Sequence, residues 1–316
     1  MGIFGRRRRD EPSTADDTPD DIFTFLTTGQ ATRLRSLAQQ AFAEQGLEVV
    51  IAPDHLIGAD GTVFGLANLA ASCHNAAKGE REWPELVRTH VRVVVAAVRD
   101  AVPISELSRE DVLSRVYLRV IGAAALPPDA EARLRYARPV VGDVLEVLVL
   151  DSPESVATLQ DEDVAQFGLD ELKEAGLYNL LREPIAEVER IQVGEAAWLD
   201  VVAGESVYTA SKMLVMTDLL TRVFGPREYP NGVLVSVAFR NQIALHPIDG
   251  PEVVAAVNGI ARFAFVGYGD SVGPVSPYAY WWRDGEFTQL TEPDGEDGVV
   301  VVVDEAFAEM LSRLLT

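Results

Sequence analysis

The 316-residue chain predicts an α+β fold, with mixed or antiparallel sheets built from hairpins and helices packed on them. Three observations predict it. Apolar residues make up 48% of the chain, enough for a substantial core. Turn pairs flanked by apolar runs recur at Asp60-Gly61, Arg240-Asn241 and Asp284-Gly285, and mark hairpins. Segments with apolar residues at helical spacing separate groups of these hairpins, which argues against a regular βαβ winding.

The first stretch, "MGIFGRRRRDEPSTADDTPDD", has too little to bury, so residues 1–21 are expected to form a disordered leader. Ile3, Phe4 and the block Arg6, Arg7, Arg8 and Arg9 offer a weak contact to an anionic membrane surface, opposed by the acids that follow. Arg6 stands where N-myristoylation needs Ser or Thr. From Ala31 onward, Leu34, Leu37, Ala38, Ala41 and Phe42 recur at helical spacing, with Gly46 as a stop. "LEVVIA" reads as a strand and "HLIGADGTVFG" as a hairpin. Helices over 66–78 and 84–100 follow, stopped by Gly79 and opened by Pro84.

Residues 112–121 fit helix and strand equally. "ARLRYARPVVGDVLEVLVLD" reads as two strands, the second apolar enough to be central. Helices are expected over 161–166 and 169–183, with Gly168 between them, then strands in "AEVERIQV" and "AWLDVVA" and a helix over 211–224. A hairpin at Arg240-Asn241, a helix over 251–265, a hairpin at Asp284-Gly285, a buried strand "GVVVVVD" and a terminal helix burying Phe307, Met310, Leu311, Leu314 and Leu315 complete the chain. "LDSPESVATL" and "IDGPEVVAAV" echo each other, and each reads as a helix start with Asp151 or Asp249 at the N-cap. Consecutive prolines at 127 and 128 place a boundary between a region 22–125 and a region 126–316.

Lys and Arg total 27 against 49 Asp and Glu, a net charge of −22. That field repels phosphate backbones, so nucleic acid is excluded as a partner. A basic protein partner suits it, although a solvated acidic face needs none. The single cysteine allows no intrachain disulfide, no apolar signal core follows the basic start, and runs such as "VRVVVAAV" fall short of the ~18–20 residues of a membrane span. A cytoplasmic protein is expected.

Cys73, His55, His74 and His90 cluster in sequence and raise the question of a metal or nucleophile site. On its helix Cys73 falls on the apolar stripe with Leu66, Leu69, Ala70 and Ala77. His90 falls with Val87, Val91, Val94 and Val98, and adjacent Cys73 and His74 diverge. Both groups are therefore expected in the core, with no metal and no cofactor assigned. "GYGDSVG" (267–273) reads as a turn rather than a dinucleotide fingerprint, and "EPDGEDG" (292–298) as a solvated loop rather than a calcium loop. In "YAYWWRDGEF", Tyr280 and Trp282 share one face and Trp281 takes the other. Aromatics beside Arg283 are enriched at recognition surfaces. Packing on both faces competes with that reading.

Four stretches, "LSRVYLRVI", "PVVGDVLEVLVLDSPESVATLQDEDVAQFGLDELKEAGLYNLL", "LVSVAFRNQIALHPIDGPEVVAAV" and "SPYAYWWRDGEF", resemble the YtpQ-like bacterial family of unknown function across roughly residues 112–290. Asp151, Phe167-Gly168, Asn179-Leu180, Asn241 and Asp284-Gly285 carry the resemblance. It implies a cytoplasmic α+β protein and no catalytic residue. The expected function is non-catalytic binding of a partner through Trp281, Trp282 and Arg283, joined by Arg240 and Asn241. The competing class is a hydrolase using carboxylates, Asp151 or His90.

Overall fold

The computed structural model describes residues 17–59, 61–99, 102–126, 130–152, 155–185, 187–194, 197–295 and 298–315. Ile3, Phe4, Arg6–Arg9, Asp60 and the prolines at 127 and 128 lie outside them. The fold is α+β, and every strand ladder among the described residues is antiparallel. The chain forms two compact units, residues 1–96 and 97–316.

In the first unit, α1 (Thr28–Glu44) starts at a capping box. The Thr27 hydroxyl accepts from the Gln30 amide, and the Gln30 side chain accepts from the Thr27 amide. Its buried stripe is Ala31, Leu34, Ala38, Ala41 and Phe42. The strands β1 (Val49–Ile51), β2 (His55–Gly58) and β3 (Val63–Gly65) form a meander. α2 (Ala67–His74) stops four residues before its expected end, and α3 (Trp83–Arg99) has Pro84 in its first turn. Residues 17–21 do not belong to a disordered leader. Asp20 is 7% exposed, and its carboxylate accepts from the Arg35 guanidinium and from the Ile22 and Phe23 amides. Arg35 above all holds that carboxyl below its usual pKa. A charge-assisted knot of this kind orders a segment that composition alone leaves unstructured.

The second unit opens with α4 (Arg109–Arg115), capped by the Ser108 hydroxyl, and continues into β4 (Val116–Gly122), so the ambiguous stretch is both helix and strand. After α5 (Ala130–Arg133) come β5 (Arg138–Val141), β6 (Val144–Ser152) and β7 (Ser155–Thr158), and β4 and β5 flank β6. β4 pairs with β6 from Val116↔Leu150 to Gly122↔Val144. A boundary at 125/126 would strip β4 of its ladder, which corrects the expected division: the second unit begins at 97. β7 corrects the first half of the sequence echo. Residues 155–158 extend the sheet instead of starting a helix, because the β6 backbone offers them partners from Val149↔Thr158 to Ser152↔Ser155.

α6 (Asp161–Phe167) and α7 (Leu169–Arg182) meet at Gly168, whose φ of +93° suits glycine. Then follow β8 (Glu187–Val193), β9 (Ala197–Ala203), a 3-10 turn Ala210–Val215, α8 (Met216–Phe224), β10 (Val233–Ser236), β11 (Gln242–Pro247), α9 (Val253–Asp270), β12 (Ala279–Arg283) and β13 (Glu286–Gln289). The six-stranded sheet has the order β13-β12-β10-β11-β9-β8. α9 starts without a side-chain cap, and Asp249 pairs with Arg227 instead of capping it. It runs through Gly267 to Asp270, so half of the expected "GYGDSVG" turn is helix.

The hairpin β14 (Thr291–Pro293) and β15 (Val299–Val301) and the helix α10 (Glu305–Leu314) end the chain. The expected buried strand is not buried. Val300, Val302 and Val303 are 47%, 41% and 39% exposed, since β15 pairs with β14 in a two-stranded sheet that covers one side. Leu315 lies past the helix and is exposed, while Phe307 and Met310 are in the core. One face of the large sheet packs Leu199, Leu234 and Trp281 with Ile260 and Phe307. The other packs Val235, Ile243 and Tyr280 with Met213 and Leu219.

Candidate functional site

α7 is the element around which surface features gather. Leu172, Gly176 and Leu180 form its buried stripe. A Cβ on Gly176 would lie 2.9 Å from the Leu118 amide nitrogen, so the helix sits directly on β4. Asn179 ties it down further, donating from Nδ2 to the Leu113 carbonyl (2.9 Å) and the Val116 carbonyl (2.8 Å). Leu177 and Tyr178 fall off that stripe and face water at 38% and 56% exposure. Arg182 donates to the Tyr178 hydroxyl (2.8 Å), and its guanidinium lies 5.4 Å from the ring centre.

On one side of this ridge an open groove of about 1130 Å³ runs between α7 and α4, lined by Leu113, Tyr117, Tyr178 and Arg182 among others. Tyr117 stacks on Tyr208 at 4.3 Å, and the Tyr208 hydroxyl donates to Asp151 Oδ1 at 2.9 Å. Burial raises the pKa of both phenols. On the other side a cleft of about 680 Å³ is walled by Val140, Leu181, Met216, Trp282 and Phe287. The rim is charged and largely self-paired: Arg109 with Glu171, Arg138 and Lys173 with Glu146, Arg222 with Asp218. Glu110, Glu174 and Glu286 are exposed on the same walls and leave them acidic.

The residues singled out in the sequence are placed differently from the expected surface. Trp281 is 4% exposed. Its ring meets Phe307 edge-on at 5.1 Å, and Nε1 donates to the Asn231 carbonyl at 2.9 Å. Tyr280, on the opposite face, is fully buried. Both faces of β12 are therefore packed, the reading that competed with a recognition surface, and Trp281 offers no exposed ring. Trp282 is half-buried and lines the cleft, and Arg283 pairs with Asp284. Arg240 and Asn241 do not join them. In the register Val233↔Trp282 and Ser236↔Ala279, the 284–285 turn and the 240–241 turn lie at opposite ends of the sheet. Asn241 braces a loop, donating to the Glu205 and Ser206 carbonyls.

Cys73 is 1% exposed and burial pushes its thiol up to about 11, so it is not a nucleophile at neutral pH. Its carbonyl accepts from Trp83 Nε1 at 2.8 Å. His90 is half-buried, His74 is exposed with its ring 5.1 Å from Phe25, and His55 pairs with Asp54. No group of three or more His, Cys, Asp or Glu able to hold a metal occurs among the described residues. Among those residues no helix is long and apolar enough to cross a membrane.

The remaining histidine, His246, is fully buried on β11, with Nδ1 2.8 Å from the Trp198 carbonyl and no partner for Nε2. Burial holds its pKa below the ordinary 6.5. The unfolded chain then takes up a proton that the folded one refuses, so stability is level above about pH 6.5 and falls below it. Thermal midpoints measured from neutral pH down to about pH 5 are expected to drop. His246→Asn, which keeps a neutral donor toward Trp198, should flatten that slope, and a level wild-type profile would contradict the assignment.

Tyr117, Leu177, Tyr178 and Arg182 were not legible as a surface from motifs. A helical projection of 169–183 does carry a signal, since Leu177 and Tyr178 are large apolar residues off the stripe of Leu172, Gly176 and Leu180. No family model, curated protein or solved structure matches the chain.

Proposed function

We propose that the protein is a non-catalytic binding protein of the cytoplasm that docks a partner protein across α7. One observation carries this reading. Leu177 and Tyr178 stand exposed between an aromatic groove and an apolar cleft, ringed by charged pairs. Apolar centres with Tyr, Trp and Arg anchors and a polar rim are the anatomy of a protein interface. Trp282 belongs to this surface through the cleft. The surplus acids Glu110, Glu174 and Glu286 select the occupant: a segment with apolar anchor side chains flanked by Lys or Arg. The relation to the YtpQ-like family belongs to the same proposal. Of its marked positions, Gly168, Asn179 and Asp284-Gly285 have structural tasks in a helix junction, a helix anchor and a turn.

The test is a display library of apolar segments flanked by basic residues, with acid-flanked and scrambled controls. Selected peptides are expected to bind the full chain, more weakly as salt rises. The double variant Leu177→Ser, Tyr178→Ala should weaken them at least about tenfold. Both positions are exposed, so the fold tolerates the change to within about 0.5 kcal/mol. Equal binding by the double variant, or no selection of basic flanks, would sink the reading. Turnover in a hydrolase panel would favour the competing carboxylate or His90 chemistry.

A further inference from the structure

In the second unit Arg109, Arg135, Arg138, Arg190, Arg222, Arg227 and Arg283 each pair with a carboxylate. Arg182 and Arg262 are exposed, and half-buried Arg115 donates to the Asp151 carbonyl and the Ser152 hydroxyl, but Arg119 and Arg240 are half-buried with less to hold them. In a chain with 49 acids, neither Arg119 nor Arg240 has an ion pair among the described residues. Both are half-buried. The Nε of Arg119 is shielded from water and has no hydrogen-bond partner. Arg240 donates from Nε only to its neighbour Asn241, at 3.3 Å.

Two consecutive residues, Ala210 and Ser211, tie the backbones that carry the two arginines to each other. The Val120 amide, next to Arg119, donates to Ser211 Oγ at 3.1 Å, and the Arg240 carbonyl accepts from the Ala210 amide at 3.0 Å. Arg240 is held on its other side by its amide, which donates to the Gly273 carbonyl at 3.0 Å. Gly273 has a φ of +70°, and a Cβ there would lie 2.7 Å from Arg240 Cδ, so glycine lets this loop close over the arginine. Burial, and then the charge of Arg240, lower the pKa of Arg119. Burial does the same to Arg240.

Two like charges withdrawn from water and left without acids raise the energy of the folded chain. A bound anion relieves both costs at once, and the guanidinium fork matches an oxyanion in two hydrogen bonds. We propose that Arg119 and Arg240 form a binding site for a doubly charged oxyanion, the phosphate group of a small molecule. Two fixed positive charges match the charge of about −2 on a phosphate monoester. The overall charge of −22 keeps polyanions away, while two arginines offer a small anion a local well. Neither arginine lines the groove or the cleft beside α7.

The full chain is tested by thermal melts and titration calorimetry with inorganic phosphate, methyl phosphate, sulfate and acetate, each against chloride at equal ionic strength. Phosphate at about 10 mM is expected to raise the midpoint by about 2–5 °C over chloride. Arg119→Met and Arg240→Gln should each weaken phosphate binding at least about tenfold. In phosphate-free buffer each variant should melt no lower than wild type, because removing one charge relieves the repulsion. A merely structural arginine would give the opposite sign. Methyl phosphate stronger than inorganic phosphate identifies an ester as the natural form, and the reverse order identifies free phosphate. Sulfate equal to phosphate also supports a dianion site. The proposal is overturned if wild type melts alike in phosphate and chloride, if both variants keep the phosphate response, or if acetate matches phosphate. The Leu177→Ser, Tyr178→Ala variant keeps the full phosphate response, so either reading can fail alone.

Discussion

Trp281→Ala is expected to lower the unfolding free energy by about 3–5 kcal/mol, the range for truncating a large buried aromatic. The ring is 4% exposed, packs edge-on against Phe307 and shares its layer with Leu234, Ile260 and Leu290. Alanine leaves a cavity between sheet and helices and also orphans the Asn231 carbonyl that Nε1 serves. In a unit of this size the midpoint should fall by roughly 6–20 °C. Trp281→Phe keeps most of the apolar volume and loses the hydrogen bond, so it should cost about 1 kcal/mol. Chemical denaturation of the two variants checks the ranking. If Trp281→Ala instead unfolds like wild type, the ring is not a core residue and the surface role expected from its sequence neighbourhood returns.

Lys212→Met is expected to cost about 3 kcal/mol, because it removes two short charge-assisted bonds from a buried cation and leaves the carbonyls only the longer contacts from the Glu183 amide (3.2 Å) and Arg222 Nη1 (3.4 Å). Lys212 is 1% exposed, and its Nζ donates to the Leu180 carbonyl at 2.7 Å and the Glu183 carbonyl at 2.6 Å. These carbonyls lie at the C-terminal end of α7, where backbone acceptors lack helical donors and a positive charge suits the helix dipole. Burial pushes the ammonium down to about 8, which leaves it charged at neutral pH. Methionine fills the volume and donates nothing. Because α7 carries Leu177, Tyr178 and Arg182, loosening its end should also increase amide exchange along 177–183. A variant with wild-type stability and unchanged exchange would show that water or a neighbour replaces the two bonds.

Much of the local structure was legible because local chemistry specifies it. Asp284-Gly285 forms the expected turn with φ of 53° and 90°, angles that aspartate tolerates and glycine adopts freely. Gly168 separates two helices where it was read to do so. β7 was not legible, because Ser155–Thr158 becomes a strand only when the β6 backbone is beside it. The domain division failed for the same reason: a pair of prolines marks a loop, and only the β4–β6 ladder tells that the loop lies inside a unit. The candidate sites were the least visible. Arg119 sits in an alternating strand like any exposed arginine, and only the backbone ties through Ala210 and Ser211 that bring it near Arg240, 121 positions later, make its lack of an ion pair informative.

The sequence by itself determined the α+β class, most helices and hairpin turns, the burial of Cys73 and the strongly acidic charge. Periodicity, turn chemistry and composition are properties of neighbouring residues. The tertiary structure alone decided that Trp281 is core, that Leu177 and Tyr178 face water, and that two half-buried arginines are left without an ion pair. Burial and charge compensation are set by residues far apart in the chain, which become neighbours only when the sheets and helices have packed.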